Sequence, residues 1–184
     1  MYYFVFHKTP FSKGLFFLNL LFFLLLLTQC KQDPPMVEPE PDPPSLPPIT
    51  TTGQNTFGCL VNGEVWLPEG NRPGFLPNLV VFYNGMTFNI NAVRITEDVD
   101  QDIGIGIDTL NEESVYKLTI PNKQIAGVND IQNSCSYDIP FEGELEIIRL
   151  DYFKKIISGK FWFTHALEEC DTIRVTDGRF DVAY

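Results

Sequence analysis

Alternating apolar and polar residues predict strands throughout the chain from Thr56 to Tyr184. In VYKLTI, residues 115–120, every second side chain is apolar, and IISGKFWFTH, residues 156–165, shows a similar two-residue period. No segment keeps the apolar period of 3.6 residues that an amphipathic helix requires. About ten short strands joined by turns predict an all-β fold. We expect an antiparallel β-sandwich, with an open or closed β-barrel as the alternative.

Three dipeptides in this region predict tight hairpins. Asn-Gly and Asp-Gly favour the type I′ turn, whose twist matches that of two paired strands. These dipeptides occupy residues 62–63, 84–85 and 177–178. The turn at 84–85 is expected to place Tyr83 opposite Met86, and the turn at 177–178 to place Arg174 opposite Asp181. The hairpin at 62–63 has apolar residues on both faces, which indicates burial on both sides.

The same alternation predicts which side chains fill the core. It places the following residues inward: Ile103, Ile105, Ile107, Tyr116, Leu118, Ile120, Leu145, Ile147, Ile157, Phe161 and Phe163. The phase breaks at Ile147-Ile148, which predicts a β-bulge, where one strand carries an extra residue. Residues 121–134 show no sustained pattern and are expected to form a long loop.

The N-terminal residues predict export and lipid attachment. An apolar run at residues 15–27 follows two lysines and is shorter than the roughly 20 residues that cross a bilayer. LTQC, residues 27–30, resembles a bacterial lipobox, although Gln29 stands where a small residue usually precedes the cysteine. Residues 1–29 are therefore predicted to be a lipoprotein signal peptide, and Cys30 to hold the protein at the membrane through palmitate-type acyl chains. The alternative is an ordinary signal peptide with an incidental cysteine.

A proline-rich segment follows the predicted lipidation site. Residues 31–50 contain eight prolines with acidic residues between them. Proline fixes φ and has no N–H, so the segment is expected to be extended as polyproline II. At ~3.1 Å per residue it spans about 60 Å. We divide the chain into the signal peptide, a lipidated cysteine and acidic stalk at 30–55, and an all-β domain at 56–184.

The charge of the chain argues against two classes of partner. Without residues 1–29, the chain has 11 basic and 24 acidic side chains and a net charge of −13. Nucleic acid requires basic side chains that neutralise its phosphates, so we expect no nucleic-acid partner. The same charge opposes electrostatic binding to anionic lipid.

Three cysteines remain after the predicted lipidation site, so at most one intrachain disulfide forms. Export to an oxidising compartment favours that bond. Cys135 and Cys170 each lie at the edge of a predicted strand beside a polar loop, and we expect them to pair. Cys59 lies in an apolar hairpin opposite Trp66, where a free thiol acts as a small apolar side chain.

Few residues of the domain have the chemistry of a catalytic or metal site. His165 is the only histidine after the signal peptide, and its inward phase at a strand end favours a structural role. Cys170 and His165 could form a nucleophilic pair only without the disulfide. EDVDQD, residues 97–102, resembles the start of a calcium loop, but Ile103 and Thr109 stand where an EF-hand needs glycine and glutamate. We expect no catalytic residue, metal site or cofactor, with a looser calcium site at 97–102 as the alternative.

Trp162 and Lys160 are the candidate binding residues. Both lie on the polar face of their predicted strand, whereas Phe161 and Phe163 point into the core. An aromatic ring on a polar sheet face could stack against a sugar or an extended peptide. The alternative is that a loop or the second sheet covers Trp162.

Three segments of the domain carry a resemblance to a known family: TFGCLVNGEVWLP at 56–68, IISGKFWF at 156–163 and DTIRVTDGRFDV at 171–182. Together they resemble a family of uncharacterised lipoproteins from Bacteroidota. The resemblance implies a lipid-anchored β-rich domain without an established activity, substrate or catalytic residue. In such lipoproteins, acidic residues directly after the cysteine are associated with display at the cell surface, and Asp33 is the one acidic residue here.

These observations favour a non-enzymatic lipoprotein of the outer membrane, on its periplasmic face or at the cell surface. Its β-sandwich would bind a glycan or a protein, or serve as a structural module. One alternative is a carrier of a small apolar ligand, built as a barrel whose cavity is lined by Tyr116, Phe161 and Phe163. A hydrolase with a polar cluster around His165 is the other.

Overall fold

The computed structural model describes residues 45–71, 74, 77–119 and 124–184. The predicted signal peptide, Cys30, most of the proline-rich stalk and Ile120 lie outside the described residues. All described residues belong to one unit, Pro43–Tyr184. Within it, no described helix has the length and hydropathy of a membrane span.

The described chain forms strands packed as two antiparallel sheets. The strands are β1 (Thr56–Val61), β2 (Glu64–Trp66), β3 (Leu79–Tyr83), β4 (Phe88–Ile95), β5 (Asp100–Ile107), β6 (Val115–Lys117), β7 (Gln124–Asp130), β8 (Cys135–Tyr137), β9 (Glu142–Asp151), β10 (Ile156–Leu167) and β11 (Cys170–Ala183). The first sheet has the order β2-β1-β11-β10-β9-β6, and the second has the order β3-β4-β5-β7-β8. Neither sheet closes into a barrel, so the predicted sandwich is confirmed and the barrel alternative is wrong.

The core lies between the two sheets and contains the side chains that alternation places inward. Phe88 of β4 stacks on Phe180 of β11, with ring centroids 5.7 Å apart, and so joins one sheet to the other. Phe161 of β10 packs against Phe57 of β1 at 5.2 Å. The described residues predicted to face inward are all buried: Ile103, Ile105, Ile107, Tyr116, Leu118, Leu145, Ile147, Ile157, Phe161 and Phe163. Strand alternation therefore predicted the core correctly at these positions.

The hairpin at residues 62–63 is confirmed. Val61 pairs with Glu64, and Cys59 pairs with Trp66, as the two-residue turn requires. Asn62 and Gly63 have φ values of 51° and 89°, which are the positive values of a type I′ turn.

The β3–β4 hairpin has a longer turn than predicted. Tyr83 pairs with Phe88 rather than with Met86, so the turn contains the four residues 84–87. The Asn84 side chain accepts hydrogen bonds from the N–H groups of Met86 and Thr87 at 3.0 and 2.8 Å. This side-chain acceptor favours the longer turn. Because the register differs by two residues, the inward faces are unchanged.

The predicted hairpin at residues 177–178 is wrong. These residues lie inside β11, which runs unbroken from Cys170 to Ala183. Phe161 of β10 pairs with Gly178 and Phe163 pairs with Val175, so two residues of β11 lie opposite Trp162. This arrangement is a β-bulge, and Asp177 in it has a φ of 52°. This bulge and a type I′ turn both place a residue at positive φ, which explains why Asp-Gly fits either.

The bulge predicted at Ile147-Ile148 is confirmed. Ser158 of β10 pairs with Arg149, and the next residue, Gly159, pairs with Ile147, which leaves Ile148 as the extra residue of β9. The break in alternation therefore located this irregularity correctly.

The predicted loop at residues 121–134 is partly wrong, because β7 occupies residues 124–130. Ala126, Val128 and Asp130 face inward from this strand and are buried. Asp130 occupies an inward position, so the alternation of apolar and polar residues is less clear in this strand. Its carboxylate accepts hydrogen bonds from Gln101 and from Asn133. Buried hydrogen-bonded polar groups of this kind break the apolar pattern without breaking the strand.

Candidate functional site

The outer face of the first sheet contains the predicted binding residues. Trp162 pairs with Glu144 across β9 and β10, and Lys160 pairs with Glu146 and with Arg179 of β11. Side chains at these positions point away from the core, and Trp162 is 38% exposed. Neither the second sheet nor a loop buries this ring, so the structure places Trp162 and Lys160 together on an open face.

A groove of about 450 Å³ surrounds Trp162 on this face. Apolar side chains contribute to its lining at Ile49, which precedes β1, and at Val115 of the edge strand β6. Both side chains are exposed. The bulge in β11 lies directly opposite Trp162, and bulges bend a strand and redirect nearby side chains. The aromatic ring therefore lies in a depression with apolar side chains beside it.

Charged side chains around the groove form three ion pairs. Lys117 of β6 contacts Glu144, Lys160 lies 3.8 Å from Glu146, and Arg179 lies 4.0 Å from Asp177. The hydrogen bond from Lys117 is the main cause that lowers the pKa of Glu144, and the Trp162 indole N–H also contributes. Each carboxylate in the groove therefore has a cation beside it.

The segment before β1 closes one part of the same sheet face. Asp181 of β11 is 1% exposed, and its carboxylate accepts four hydrogen bonds from this segment. The donors are the Thr50 hydroxyl at 2.7 Å and the backbone N–H groups of Thr52, Gly53 and Gln54 at 2.9, 2.8 and 3.2 Å. Asp181 thus fixes the segment that carries Ile49. It does not face Arg174, because the predicted turn at 177–178 does not form.

Sequence reasoning missed several members of the groove. The outward positions of Glu144 and Glu146 follow from the inward positions of Leu145 and Ile147. The alternation in this strand could therefore have predicted that both glutamates lie on the outer face. Ile49 lies in the segment predicted to be a stalk, and no local pattern predicts its approach to Trp162.

The predicted disulfide is confirmed. Cys135 of β8 is bonded to Cys170 of β11, with Cα atoms 6.3 Å apart, and so links an edge of the second sheet to the first. Cys59 is a free, buried thiol, as expected, and burial raises its pKa to about 12. Because Cys170 is bonded, it cannot act as the nucleophile of a pair with His165.

His165 lies in the core rather than in a cleft. It is 2% exposed, and its ring lies 5.3 Å from the Phe163 ring and 5.5 Å from the Tyr137 ring. Burial lowers its pKa, so the imidazole is neutral at pH 7. Its position favours a packing role over catalysis.

The acidic segment 97–102 has a different structure from a calcium loop. Residues 100–102 form the start of β5 and pair with β4. In the described part of the chain, no group of three or more histidine, cysteine, aspartate or glutamate residues is arranged to hold a metal ion.

The aromatic residues proposed for a carrier cavity are packed against other core side chains. Phe161 and Phe163 stack at 6.2 Å, and Phe161 also contacts Phe57 and Phe180. Tyr116 is buried, and its hydroxyl donates to the Glu112 carbonyl. These contacts fill the space that an apolar ligand would need.

No protein-family model, curated protein or solved structure matches this chain. The resemblance to lipoproteins from Bacteroidota therefore stays a prediction from three sequence segments.

Proposed function

We propose that the protein is a non-enzymatic lipoprotein of the outer membrane that presents its β-sandwich to bind a glycan or protein partner. The observation that carries this proposal is the exposure of Trp162 in a groove between apolar and ion-paired side chains. Large aromatic residues in open depressions are typical of binding sites. The acyl chains on Cys30 hold the domain at the membrane, on the periplasmic face or at the cell surface, and the stalk gives it reach.

Cys30→Ala is expected to release the protein from the membrane, because one acylated cysteine provides the attachment. Metabolic labelling with palmitate, followed by membrane fractionation, measures this directly. The wild-type chain should carry label and sediment with membranes, and Cys30→Ala should lose both properties. Cys59→Ala is the control and should keep the label, because Cys59 is buried in the domain. A labelled Cys30→Ala protein would contradict the lipid assignment.

Trp162→Ala is expected to change the free energy of unfolding by less than about 1 kcal/mol, because the ring is partly exposed on the outer face of the sheet. Phe161→Ala, at the neighbouring core position, should cost about 3–5 kcal/mol. Urea unfolding followed by circular dichroism measures both values. A loss at Trp162 as large as that at Phe161 would show that Trp162 serves the fold and would remove the proposed binding surface.

Photo-crosslinking in intact cells tests binding itself. A photoreactive residue at Val115, at the groove, should form adducts with the partner. A photoreactive residue at Phe82, which is 53% exposed on the other sheet, is the control. Adducts formed from Val115 should disappear when Trp162→Ala is added. If the adducts are equal from both positions, or indifferent to Trp162, the groove is not the binding site.

A further inference from the structure

We propose that the groove around Trp162 binds a linear, uncharged glycan. This inference rests on the proposed binding function and names its ligand class. Three properties of the groove carry it: its balanced charge, its residue types and the arrangement of Trp162.

The charge of the groove favours a neutral ligand. The lining carries Glu144, Glu146, Asp177, Lys160 and Arg179, and Lys117 beside the groove contacts Glu144, so each carboxylate has a cation within 4.0 Å. The groove is therefore neutral overall, although the whole chain has a formal charge of −11. An anionic ligand would meet three carboxylates, and a cationic ligand would meet Lys160 and Arg179. Either would have to break ion pairs that already exist, whereas a neutral ligand leaves them intact.

The residue types of the groove favour a glycan over a protein. Lys, Glu and Asp are depleted from protein–protein interfaces relative to the rest of the surface, and they form most of the polar lining here. The same groups suit hydroxyl ligands. Each carboxylate has acceptor positions beyond those used by its cation, and each ammonium has three donors. Sugar hydroxyls donate and accept hydrogen bonds, so they can use both kinds of group without a change in charge.

The position of Trp162 supports stacking with a sugar ring. Trp162 pairs with Glu144 across β9 and β10, which places the indole beside that carboxylate on the outer face of the sheet. The electron-rich face of an aromatic ring attracts the weakly positive C–H groups of a pyranose. Ile49 and Val115 add apolar surface in the same groove. A ring held in this way can support one sugar while neighbouring sugars reach the charged pairs.

The size of the groove suits a short length of chain. Its volume of about 450 Å³ lies within the range of roughly 300–1,000 Å³ found for ligand sites. It is a depression on a sheet face rather than a cavity in the core, so a longer polymer could continue beyond it along the surface. A linear glycan therefore fits better than a single sugar.

The experiment is calorimetric titration of the lipidated protein, residues 30–184, held in a detergent without a sugar headgroup. The probes are cellohexaose, xylohexaose, maltohexaose and chitohexaose, each uncharged and linear. We expect at least one to bind, and Trp162→Ala to weaken it by about tenfold or more, which corresponds to about 1.4 kcal/mol. Trp162→Phe retains a ring and should keep most of the affinity. Phe82→Ala, an exposed aromatic of the second sheet, should leave it unchanged.

Salt dependence separates this proposal from charge-driven binding. The affinity for a neutral oligosaccharide should change less than about twofold between low and high salt, because screening acts on exposed charges. Polygalacturonate is the anionic comparison, and tighter, salt-sensitive binding of it would overturn the proposal. So would the failure of all four neutral probes. If those probes fail while Trp162-dependent protein adducts form from Val115, the binding function stands and the glycan assignment falls.

Discussion

Replacing Asp181 by alanine is expected to lower the free energy of unfolding by about 3 kcal/mol. Its buried carboxylate accepts four hydrogen bonds from the segment before β1, and no other acceptor replaces it. Hydrogen bonds to a charged acceptor contribute more than neutral ones, and buried donors left without a partner are costly. The melting temperature should fall by roughly 10 °C in a domain of this size. Differential scanning calorimetry measures the change.

Asp177→Asn is the matched control. Asp177 lies on the same strand, but its side chain is exposed and lies 4.0 Å from Arg179, an ion-pair geometry that contributes little. Asparagine also tolerates the positive φ at this position. If Asp177→Asn and Asp181→Ala lower stability equally, the four hydrogen bonds to Asp181 are not its source.

The contribution of Asp181 should also depend on pH. Burial alone would raise the pKa of Asp181, but the hydrogen bonds from Thr50, Gly53, Thr52 and Gln54 lower it overall. A carboxyl with a lowered folded pKa stabilises the fold above its unfolded pKa of about 4, and this stabilisation is lost as the pH falls through the folded pKa. The difference in unfolding free energy between wild type and Asp181→Asn should therefore shrink between about pH 5 and pH 2. A difference independent of pH would show that the carboxylate charge is not what holds the segment.

The role of Asp181 was beyond sequence reasoning for an identifiable reason. Asp177-Gly178 has the chemistry of a tight turn, and that assignment placed Asp181 opposite Arg174. A type I′ turn and this bulge both place a residue at positive φ, so the local sequence does not separate them. Whether Asp177-Gly178 forms a turn or a bulge depends on the strands that pair with β11, which are β10 and β1. Of these two, β1 lies more than a hundred residues earlier in the chain.

The alternation of apolar and polar residues was sufficient to predict which side chains face the core where a strand has one face in the core and the other outside it. It assigned Phe161 and Phe163 inward and Trp162 outward, because a period of two needs no knowledge of neighbouring strands. It failed at β7, where the inward Asp130 is satisfied by hydrogen bonds. The candidate site likewise has members that one strand's pattern predicts and one member that it does not. Trp162 and Lys160 could be predicted from one strand, whereas the approach of Ile49 depends on the hydrogen bonds of a distant segment to Asp181.

The second large effect is expected from the disulfide. Cys135→Ser combined with Cys170→Ser should lower the free energy of unfolding by about 4 kcal/mol, because the bond closes a loop with a sequence separation of 35 residues. The bond also ties β8, a three-residue edge strand, to the opposite sheet. Thermal unfolding with and without a reductant measures the effect. Reduction should bring the wild-type melting temperature to that of the double variant and should leave the variant unchanged.

Cys59 provides the internal check on this prediction. Its thiol is buried and its pKa is raised to about 12, so at neutral pH it holds almost no thiolate. It should therefore resist alkylation in the native protein and should not exchange with the Cys135–Cys170 bond. Mass spectrometry after iodoacetamide treatment should find Cys59 unmodified until the domain is unfolded. Rapid native alkylation of Cys59, or any Cys59 disulfide in the non-reduced protein, would show that the pairing is not fixed by the fold. The free energy of unfolding assigned to the Cys135–Cys170 disulfide would then come from a mixture of differently paired disulfides.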